Sequence, residues 1–271
     1  MIGSIRTALA LLLICAGTLV LAPLQYIVLK TRLFPRGVMP RLWHRLMTKA
    51  LGLRVHVSGK MSTDRPLLIA SNHISWTDIM VIGSLAEVSF IARSDLAGWP
   101  FLGAISRLQR TVFVERDRKR SSGEQAGEIA GRLASNDAIV LFAEGSTGDG
   151  NHLLPFKSTL FGAARLVLGE ANVDTVYIQP MAIAYTRLHG MPMGRQHRVL
   201  ASWIGDIELL PHLRGLLREG AMDVEVQFGE PLEFTEASNR KQVSQRVEER
   251  VRAMMADTLR HRQRASSGGK S

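Results

Sequence analysis

The sequence predicts an α/β fold in which a central mixed sheet is flanked by helices, with a membrane-anchoring helix at the amino terminus. Short runs rich in Val and Ile alternate with helical patterns along residues 53–262, which is the order expected of a layered α/β domain. Before them, Thr7–Leu29 is a stretch of 23 residues without a charge, and about 20 apolar residues suffice to cross a bilayer as a helix. We therefore expect an anchor at 1–36, a folded domain at 37–262 with its motifs between 66 and 185, and a flexible tail at 263–271.

The amino-terminal run is interpreted as a retained anchor. A cleaved signal peptide is the alternative, but the run is long for one, and cleavage after Ala22 would place Val20 where a small residue is needed. Pro23 and Gln25 interrupt its last third, so both a spanning helix and a kinked, partly embedded helix remain open.

The charges around this run predict its orientation. Arg6 alone precedes it, whereas a series of Lys and Arg residues follows between 30 and 49. The positive-inside rule therefore places the folded domain on the cytoplasmic side of the inner membrane.

Residues 41–53 are predicted to form a basic amphipathic helix. Apolar residues including Trp43 and Met47 share one face, and basic residues including His44 and Lys49 share the other. Such a helix suits either the membrane surface or packing on the domain core, and the sequence leaves both open.

The remaining elements follow from the alternation of β-like and helical runs. Strands are expected at 53–59, 66–71, 88–92, 111–114, 138–142, 175–185, 198–203 and 222–229. Helices are expected at 76–85, 100–108, 121–135, 158–169, 207–218 and 238–262.

Composition limits the chemical classes of partner that the protein is expected to bind. The formal net charge of +10 favours an acidic partner such as anionic lipid, an acidic carrier protein or nucleic acid. Nucleic acid is the weakest of these three options and is not expected as a partner, because aromatic residues are only 6% and no stacking pattern accompanies the basic residues. The single cysteine, Cys15, provides neither a disulfide framework nor a thiolate metal site.

His73 and Asp78 are the first candidates for chemistry, in "SNHISWTDIM" (71–80). His73 follows a predicted strand, and Asp78 lies just inside the next helix. A tight turn between them would let the carboxylate accept a hydrogen bond from one ring nitrogen, leaving the other nitrogen as a base. The alternatives are a structural turn histidine with a helix-capping aspartate, or a metal ligand. The metal site is disfavoured, because no second histidine stands at a familiar spacing.

Four sequence blocks resemble, in order, the motif blocks of the glycerolipid acyltransferase family: "SNHISWTD" (71–78), "RTVFVER" (110–116), "LFAEGST" (141–147) and "YIQPMAI" (177–183). The resemblance covers roughly residues 53–205. It implies that His73 is the general base and that Asp78 orients it. It also implies that Arg116 binds the polar head of the acceptor and that Glu144 and Gly145 shape the acceptor site.

The resemblance extends the set of site residues and supplies the reaction. Pro180 belongs to the fourth block, on the acyl-donor side. Asn72, Ser146 and Thr147 flank the matched residues and are counted with them as substrate-binding candidates. The implied reaction needs no cofactor and no metal: an acyl thioester, carried by acyl carrier protein or CoA, reacts with a lysolipid hydroxyl. The backbone N–H groups around 145–148 are candidate donors to the oxyanion.

The third block departs from the phosphate-using members of this family. Thr147 stands where an arginine is common, and arginine is the usual bidentate partner of a phosphate. The stretch 144–161, with 205–213 and 226–232, instead resembles the branch that acylates lyso-ornithine lipid, whose headgroup carries an ammonium and no phosphate. Asp149 or Glu144 would then face that ammonium. The alternative product is phosphatidic acid made from lysophosphatidic acid.

Two basic features of the sequence each allow two interpretations. Lys157 either faces a carboxylate or carrier phosphate or is simply solvated, and "RDRKR" (116–120) either docks a carrier protein or anionic lipid or is an ordinary polar face. A binding module with a vestigial catalytic pair, and a hydrolase that uses water as the acceptor, are the alternatives from other functional classes.

Overall fold

The computed structural model describes residues 2–114, 127, 129–133, 135, 137–170 and 173–267. Its helices are α1 (Ile2–Thr31), α2 (Val38–Leu51), α3 (Thr77–Leu85), α4 (Leu102–Leu108), α5 (Gly162–Glu170), α6 (Arg195–Arg198), α7 (Leu209–Glu219) and α8 (Arg240–Ser267). Its strands are β1 (Leu53–Ser58), β2 (Leu67–Ser71), β3 (Ser89–Arg93), β4 (Val112–Val114), β5 (Ala138–Phe142), β6 (Val176–Leu188), β7 (Met191–Pro192), β8 (Met222–Phe228) and β9 (Leu232–Phe234). Short 3₁₀ turns lie at Ser94–Gly98 and Ser158–Phe161.

The sheet is mixed, as predicted. Its order is β1-β8-β6-β2-β5-β3-β4, with β7 and β9 also pairing with β6. Strand β2 runs parallel to both β5 and β6, while β6 pairs antiparallel with β8. The carboxyl ends of β2 and β5 therefore meet at one edge, with Ser71 in register with Phe142. The loops that follow these two ends therefore leave the sheet side by side, at the edge where ligands commonly bind in open α/β sheets.

Side chains alternate between two apolar layers along the central strands. Leu67 and Ile69 of β2 face the layer built with α2, α3 and α7, whereas Leu68 and Ala70 face the layer built with α5 and α8. All four are fully buried. Burying a leucine or isoleucine contributes about 1.5–3 kcal/mol, so the central strands hold the site on a rigid base.

Helix α1 packs along the domain. Near its start, Arg6 Nη1 and Nη2 donate to the carbonyls of Arg218 and Leu51, at the ends of α7 and α2 (3.3 and 3.4 Å). Near its other end, the Gln25 amide donates to the carbonyls of Arg36 and Leu108 (both 3.0 Å). The outward face exposes a series of leucines, and by length and composition this is the one described helix that is able to cross a membrane.

Two sequence expectations are corrected here. The strand expected at 198–203 is the end of α6 followed by turns, because the Arg198 guanidinium holds the segment by donating to Asn151 Oδ1 (2.7 Å) and to the Met193 carbonyl (3.0 Å). His44, expected on the polar face of its helix, is 1% exposed and lies between α2 and α3. Burial lowers the pKa of His44 to about 4.

Three other expectations have different outcomes. The helix at 41–53 packs against α1 and α3, which is the core-packing interpretation, although Leu42 is exposed. Of the helix expected at 121–135, the described residues 129–133 are helical. The carboxyl-terminal helix extends to Ser267 rather than ending at 262.

Gly83 determines how closely α2 approaches α3. A Cβ atom at this position would lie 2.4 Å from His44 Cδ2, so we expect Gly83→Ala to destabilise the fold by about 1–3 kcal/mol through overpacking. Thermal unfolding of the detergent-solubilised protein measures this. Gly215→Ala is the matched control, because Gly215 is also helical and a Cβ there would meet no atom within 4 Å. An unchanged melting temperature for Gly83→Ala would contradict the close packing.

Candidate active site

The predicted catalytic pair lies at the carboxyl edge of the sheet. His73 follows the end of β2 by two residues, and Asp78 lies in the first turn of α3. His73 Nδ1 is 2.9 Å from Asp78 Oδ2. The five-residue spacing therefore produces the contact that the sequence predicted, because the connecting segment folds back on itself.

Asp78 is fully buried, yet it is surrounded by donors. Its Oδ2 accepts the backbone N–H groups of Ile74 (2.6 Å) and Ser75 (3.0 Å) as well as the His73 ring. Its Oδ1 accepts the Tyr185 hydroxyl (2.8 Å). A buried carboxylate is stable only with such donors around it. Since Oδ2 is the acceptor for two backbone N–H groups, we assign the proton of the shared contact to His73 Nδ1, which leaves Nε2 without a hydrogen bond among the described residues.

The His73 ring is held on its face as well as at its edge. It stacks on Phe142, with ring centroids 3.8 Å apart and planes inclined by 14°. Its side chain keeps 17% of its surface accessible. The imidazole is thus fixed in orientation while its second nitrogen remains available to a substrate.

Glu144 joins the two loops of the site. It follows the end of β5 and is 3% exposed. Its Oε2 accepts the backbone N–H of His73, and its Oε1 accepts that of Leu154 (both 2.9 Å). The Gly148 N–H also donates to the His73 carbonyl (2.8 Å). Glu144 therefore fixes the loop of the histidine rather than presenting both oxygens to a ligand.

Burial strongly affects the pKa of the Glu144 carboxyl group. Desolvation raises the pKa of Glu144 from 4.5 to about 7, although the N–H groups of His73 and Leu154 act in the opposite direction and limit the rise. The nearby charges of Asp78 and Asp149 add to the increase. Glu144 thus titrates close to neutral pH.

Asn72 and Tyr185 both connect the site to β6. The Asn72 amide donates to the Ile183 carbonyl and accepts the Ile183 N–H (both 2.9 Å), and Asn72 is 1% exposed. Asn72, predicted to bind substrate, thus has both polar atoms in contact with the protein backbone. Sequence analysis missed Tyr185, whose hydroxyl lies between Asp78 and Thr77 Oγ1 (2.5 Å). Burial raises the pKa of Tyr185 well above 10, so the hydroxyl keeps its proton and donates it.

The loop after Glu144 contains the remaining predicted residues. Gly145 has a φ of 74°, in the left-handed region that favours glycine, and the Lys157 side chain lies against it. The Ser146 side chain is exposed, and the Thr147 hydroxyl donates to the Trp203 carbonyl. The N–H groups of Gly145 and Gly148 donate to backbone carbonyls, so of the candidate oxyanion donors only those of Ser146 and Thr147 make no hydrogen bond within the described part of the chain.

The Asp149 carboxylate accepts hydrogen bonds within its own turn. Its Oδ1 accepts the N–H groups of Asn151 (2.8 Å) and His152 (3.0 Å). Burial acts to raise the pKa of Asp149, but these hydrogen bonds and those of the Asn151 and His152 side chains outweigh it and lower the pKa. Asp149 is therefore a charged, half-exposed residue on the loop that touches His73.

Lys157 is exposed and also belongs to this loop. Arg116 and the rest of "RDRKR" lie outside the described residues, so their predicted roles stay predictions.

Comparisons with known proteins agree with this geometry. The family model described as Acyltransferase matches residues 52–184. The chain is 49% identical to a lyso-ornithine lipid O-acyltransferase from Rhizobium meliloti, covering 99% of this chain and 92% of that protein. It is 50% identical to a protein of the same name from Brucella abortus, covering 96% and 97%. The crystal structure of a 1-acyl-sn-glycerophosphate acyltransferase from Thermotoga maritima superposes with a TM-score of 0.65 at 20% identity, covering 94% of this chain and 97% of that one, and it shows the same fold.

Tyr185→Phe is expected to destabilise the fold by about 1–3 kcal/mol, because it removes one donor from a buried carboxylate. Thermal unfolding measures the effect. Tyr177→Phe is the matched control on the same strand, because no hydrogen bond of the Tyr177 hydroxyl occurs among the described residues. Equal melting temperatures for the two variants would show that the Tyr185 hydroxyl bond contributes nothing.

Glu144 is expected to make stability depend on pH. Its folded pKa of about 7 exceeds the usual 4.5, so the folded protein holds a proton that the unfolded chain has released between these values. The resulting stability is present below about pH 4.5 and is lost as the pH rises to about 7, by an amount on the order of 3 kcal/mol.

The test compares melting temperatures of the parent protein and Glu144→Gln between about pH 5 and pH 8. The glutamine does not titrate, so the parent should lose stability relative to the variant as the pH rises. A constant difference across this range would contradict a raised pKa of Glu144.

Proposed function

The chain belongs to the glycerolipid acyltransferase family, and on that premise we propose that it transfers a fatty acyl group from an acyl thioester to the free hydroxyl of lyso-ornithine lipid. The observation that carries the chemistry is the hydrogen-bonded pair of His73 and Asp78 at the carboxyl edge of the sheet. The acceptor is supported by the two relatives of that name, which match along nearly their whole length.

The reaction begins at His73 Nε2, which takes the proton of the lysolipid hydroxyl as its oxygen attacks the thioester carbonyl carbon. The imidazolium that forms is stabilised by the ionised Asp78 through Nδ1. Collapse of the tetrahedral intermediate breaks the carbon–sulfur bond, and the leaving thiolate takes the proton back from His73. One ester bond forms, one thioester bond breaks, and no acyl-enzyme is required.

The oxyanion of the intermediate needs preorganised donors. We assign this contact to the N–H groups of Ser146 and Thr147. Their neighbour Gly148 donates to the His73 carbonyl, which keeps this loop beside the base. Both N–H groups belong to backbone anchored through Glu144, so they need little reorganisation as charge develops.

The identity of the acceptor is also supported by the chemistry of the loop. Thr147 is uncharged, and its hydroxyl donates to a backbone carbonyl instead of facing a ligand. Asp149 remains charged and half-exposed on the same loop. An uncharged residue in place of a phosphate-binding arginine, together with a nearby carboxylate, suits an ammonium headgroup better than a phosphate.

The proposal also covers the acyl donor, the attachment to the membrane and the cellular location. The acyl donor is an acyl carrier protein or CoA thioester, and no metal or other cofactor takes part. The apolar face of α1 holds the domain on the inner membrane from the cytoplasmic side. The contacts of Arg6 with the ends of α2 and α7 favour an embedded helix, because a bilayer crossed fully by α1 would also have to contain those ends. An interfacial position avoids extracting an acyl chain into water, which costs about 0.8 kcal/mol per methylene.

His73→Ala is expected to lower acyl transfer by about 10²–10⁴-fold, and Asp78→Asn to lower it severely as well, because the tautomer of His73 is no longer fixed. Initial rates with a radiolabelled acyl thioester measure the loss. His197→Ala is the matched control, since His197 is an exposed histidine on α6 whose side chain makes no hydrogen bond among the described residues. Near-parental rates for His73→Ala would overturn the mechanism.

The acceptor is tested by supplying membranes that contain the protein with lyso-ornithine lipid and lysophosphatidic acid together, with one labelled acyl donor. We expect the label in ornithine lipid. Label predominantly in phosphatidic acid would favour the alternative, a 1-acylglycerol-3-phosphate acyltransferase, which is the activity named for the Thermotoga maritima protein.

Two outcomes of the same assay address the remaining alternatives. Consumption of the thioester without any acceptor would indicate a hydrolase. In the Asp149→Asn variant the KM for lyso-ornithine lipid should rise by about tenfold, since a charge-assisted contact is lost. An unchanged KM would remove Asp149 from the headgroup site.

A further inference from the structure

A second cavity lies at the edge of the sheet opposite His73. Its volume is about 340 Å³, and it is bounded by the amino-terminal ends of β3 and β5, by Arg65 two residues before β2, and by the turn between α1 and α2. The five residues of β2 separate the two edges by about 16 Å. The cavity has the size of a small-ligand site, which is about 300–1,000 Å³, and it is separate from the catalytic pair.

Positive charge predominates on its walls. Four arginines and two acids line it: Arg36, Arg41, Arg65, Arg110, Glu87 and Asp137. Arg110 and Asp137 form a bidentate ion pair, with the shorter contact at 2.8 Å, and neutralise each other. The other three arginines therefore face Glu87 as the remaining acid among the described lining residues.

These three guanidinium groups have N–H donors that no acceptor among the described residues occupies. Arg41 uses Nε for the Ser84 carbonyl (3.4 Å), and Arg65 uses Nη1 for the carbonyls of Ser62 (2.9 Å) and Asp64 (2.8 Å). Arg36 makes no side-chain hydrogen bond within the described part of the chain. Since a guanidinium carries five N–H donors, most of the donors remain available, and their fork geometry matches phosphate oxygens.

An apolar crevice adjoins the cavity. It lies between α1, α2 and α4 and shares Pro40, His44 and Gln109 with the arginine-lined walls. Apolar side chains form most of its lining: Leu21, Ala22, Met39, Trp43, Ile105 and Leu108. Gln25 also lines it and is 3% exposed, and its Oε1 has no hydrogen-bond partner among the described residues. The crevice thus combines an apolar wall with buried polar atoms that have no hydrogen-bond partner among the described residues, Gln25 Oε1 among them.

Large apolar side chains are exposed around the cavity. Leu33 and Phe34 are exposed in the turn that leads from α1 to the cavity, and Trp99 and Phe101 are exposed just before α4, which packs against α1. Aromatic and aliphatic side chains exposed beside basic residues are typical of the membrane interface. A ligand at this place therefore comes from the membrane surface.

We propose that this cavity and crevice bind one anionic phospholipid, with its phosphate among Arg36, Arg41 and Arg65 and an acyl chain against α1. This lipid is distinct from the acylation substrates, which react at the opposite edge of the sheet. The juxtaposition of a basic pocket and an apolar groove is the chemistry of a phosphate-bearing lipid rather than of a free anion.

The test uses the full-length protein in phosphatidylcholine nanodiscs, titrated with fluorescent phosphatidylglycerol. We expect saturable binding that Arg36→Gln weakens and that Arg36→Gln/Arg65→Gln weakens by about tenfold or more, because charge-assisted contacts are lost. Arg36→Gln by itself keeps the test valid if the double variant fails to fold, since no side-chain hydrogen bond of Arg36 occurs among the described residues. Melting temperatures identify any unfolded variant.

Two matched variants act as controls. Arg32→Gln removes an exposed charge from the same connection outside the cavity and should bind as the parent does. His73→Ala should lose acyl transfer but keep lipid binding, which separates this site from the catalytic one. Parental binding by the double variant would overturn the proposal, as would an equal loss in Arg32→Gln, which would indicate diffuse surface charge. Displacement of the lipid by inorganic phosphate at comparable concentration would also overturn it, because it would identify a free-phosphate site.

Discussion

The buried carboxylate of Asp78 is the constraint on which the rest of the site depends. An unpaired charge in the interior is very costly. Within the described structure the two oxygens of Asp78 accept four hydrogen bonds, which offset this cost. Two of those donors are backbone N–H groups between His73 and Asp78, which fix the conformation of the connecting segment. The third is the imidazole of His73, the proposed base, so the same hydrogen bond that satisfies Asp78 also orients this ring.

A second carboxylate extends this constraint to the neighbouring loop. Because β2 and β5 are parallel neighbours, the loops that leave them start side by side, and Glu144 bonds backbone groups of both. Burial raises the pKa of Glu144, and the nearby charge of Asp78 adds a smaller increase. The site is thus held by hydrogen bonds from backbone N–H groups to two acids, while His73 Nε2 makes no hydrogen bond within the described residues.

The sequence specified local features of this arrangement better than distant ones. The contact of His73 with Asp78 was predictable because five residues of a strand-to-helix turn bring the two side chains together, and most strands carried clear β-branched runs. Tyr185 was missed because it reaches Asp78 from 107 positions away through the pairing of β2 with β6. His44 was misassigned because a helical wheel does not show that a glycine on α3 leaves space for an imidazole. The arginine cavity was not foreseen either, since its walls come from distant segments. The predicted strand at 198–203 was wrong because side-chain bonds from Arg198 replace a sheet ladder.

Helix α1 is joined to the domain at both of its ends, through Arg6 and through Gln25. Helix α1 is therefore fixed to the folded domain and is not a flexible anchor. With α1 embedded in the bilayer, as proposed, His73 Nε2 would stand at a constant height relative to the lipid headgroups. The distance by which the hydroxyl of an acceptor protrudes from the leaflet would then contribute to its selection.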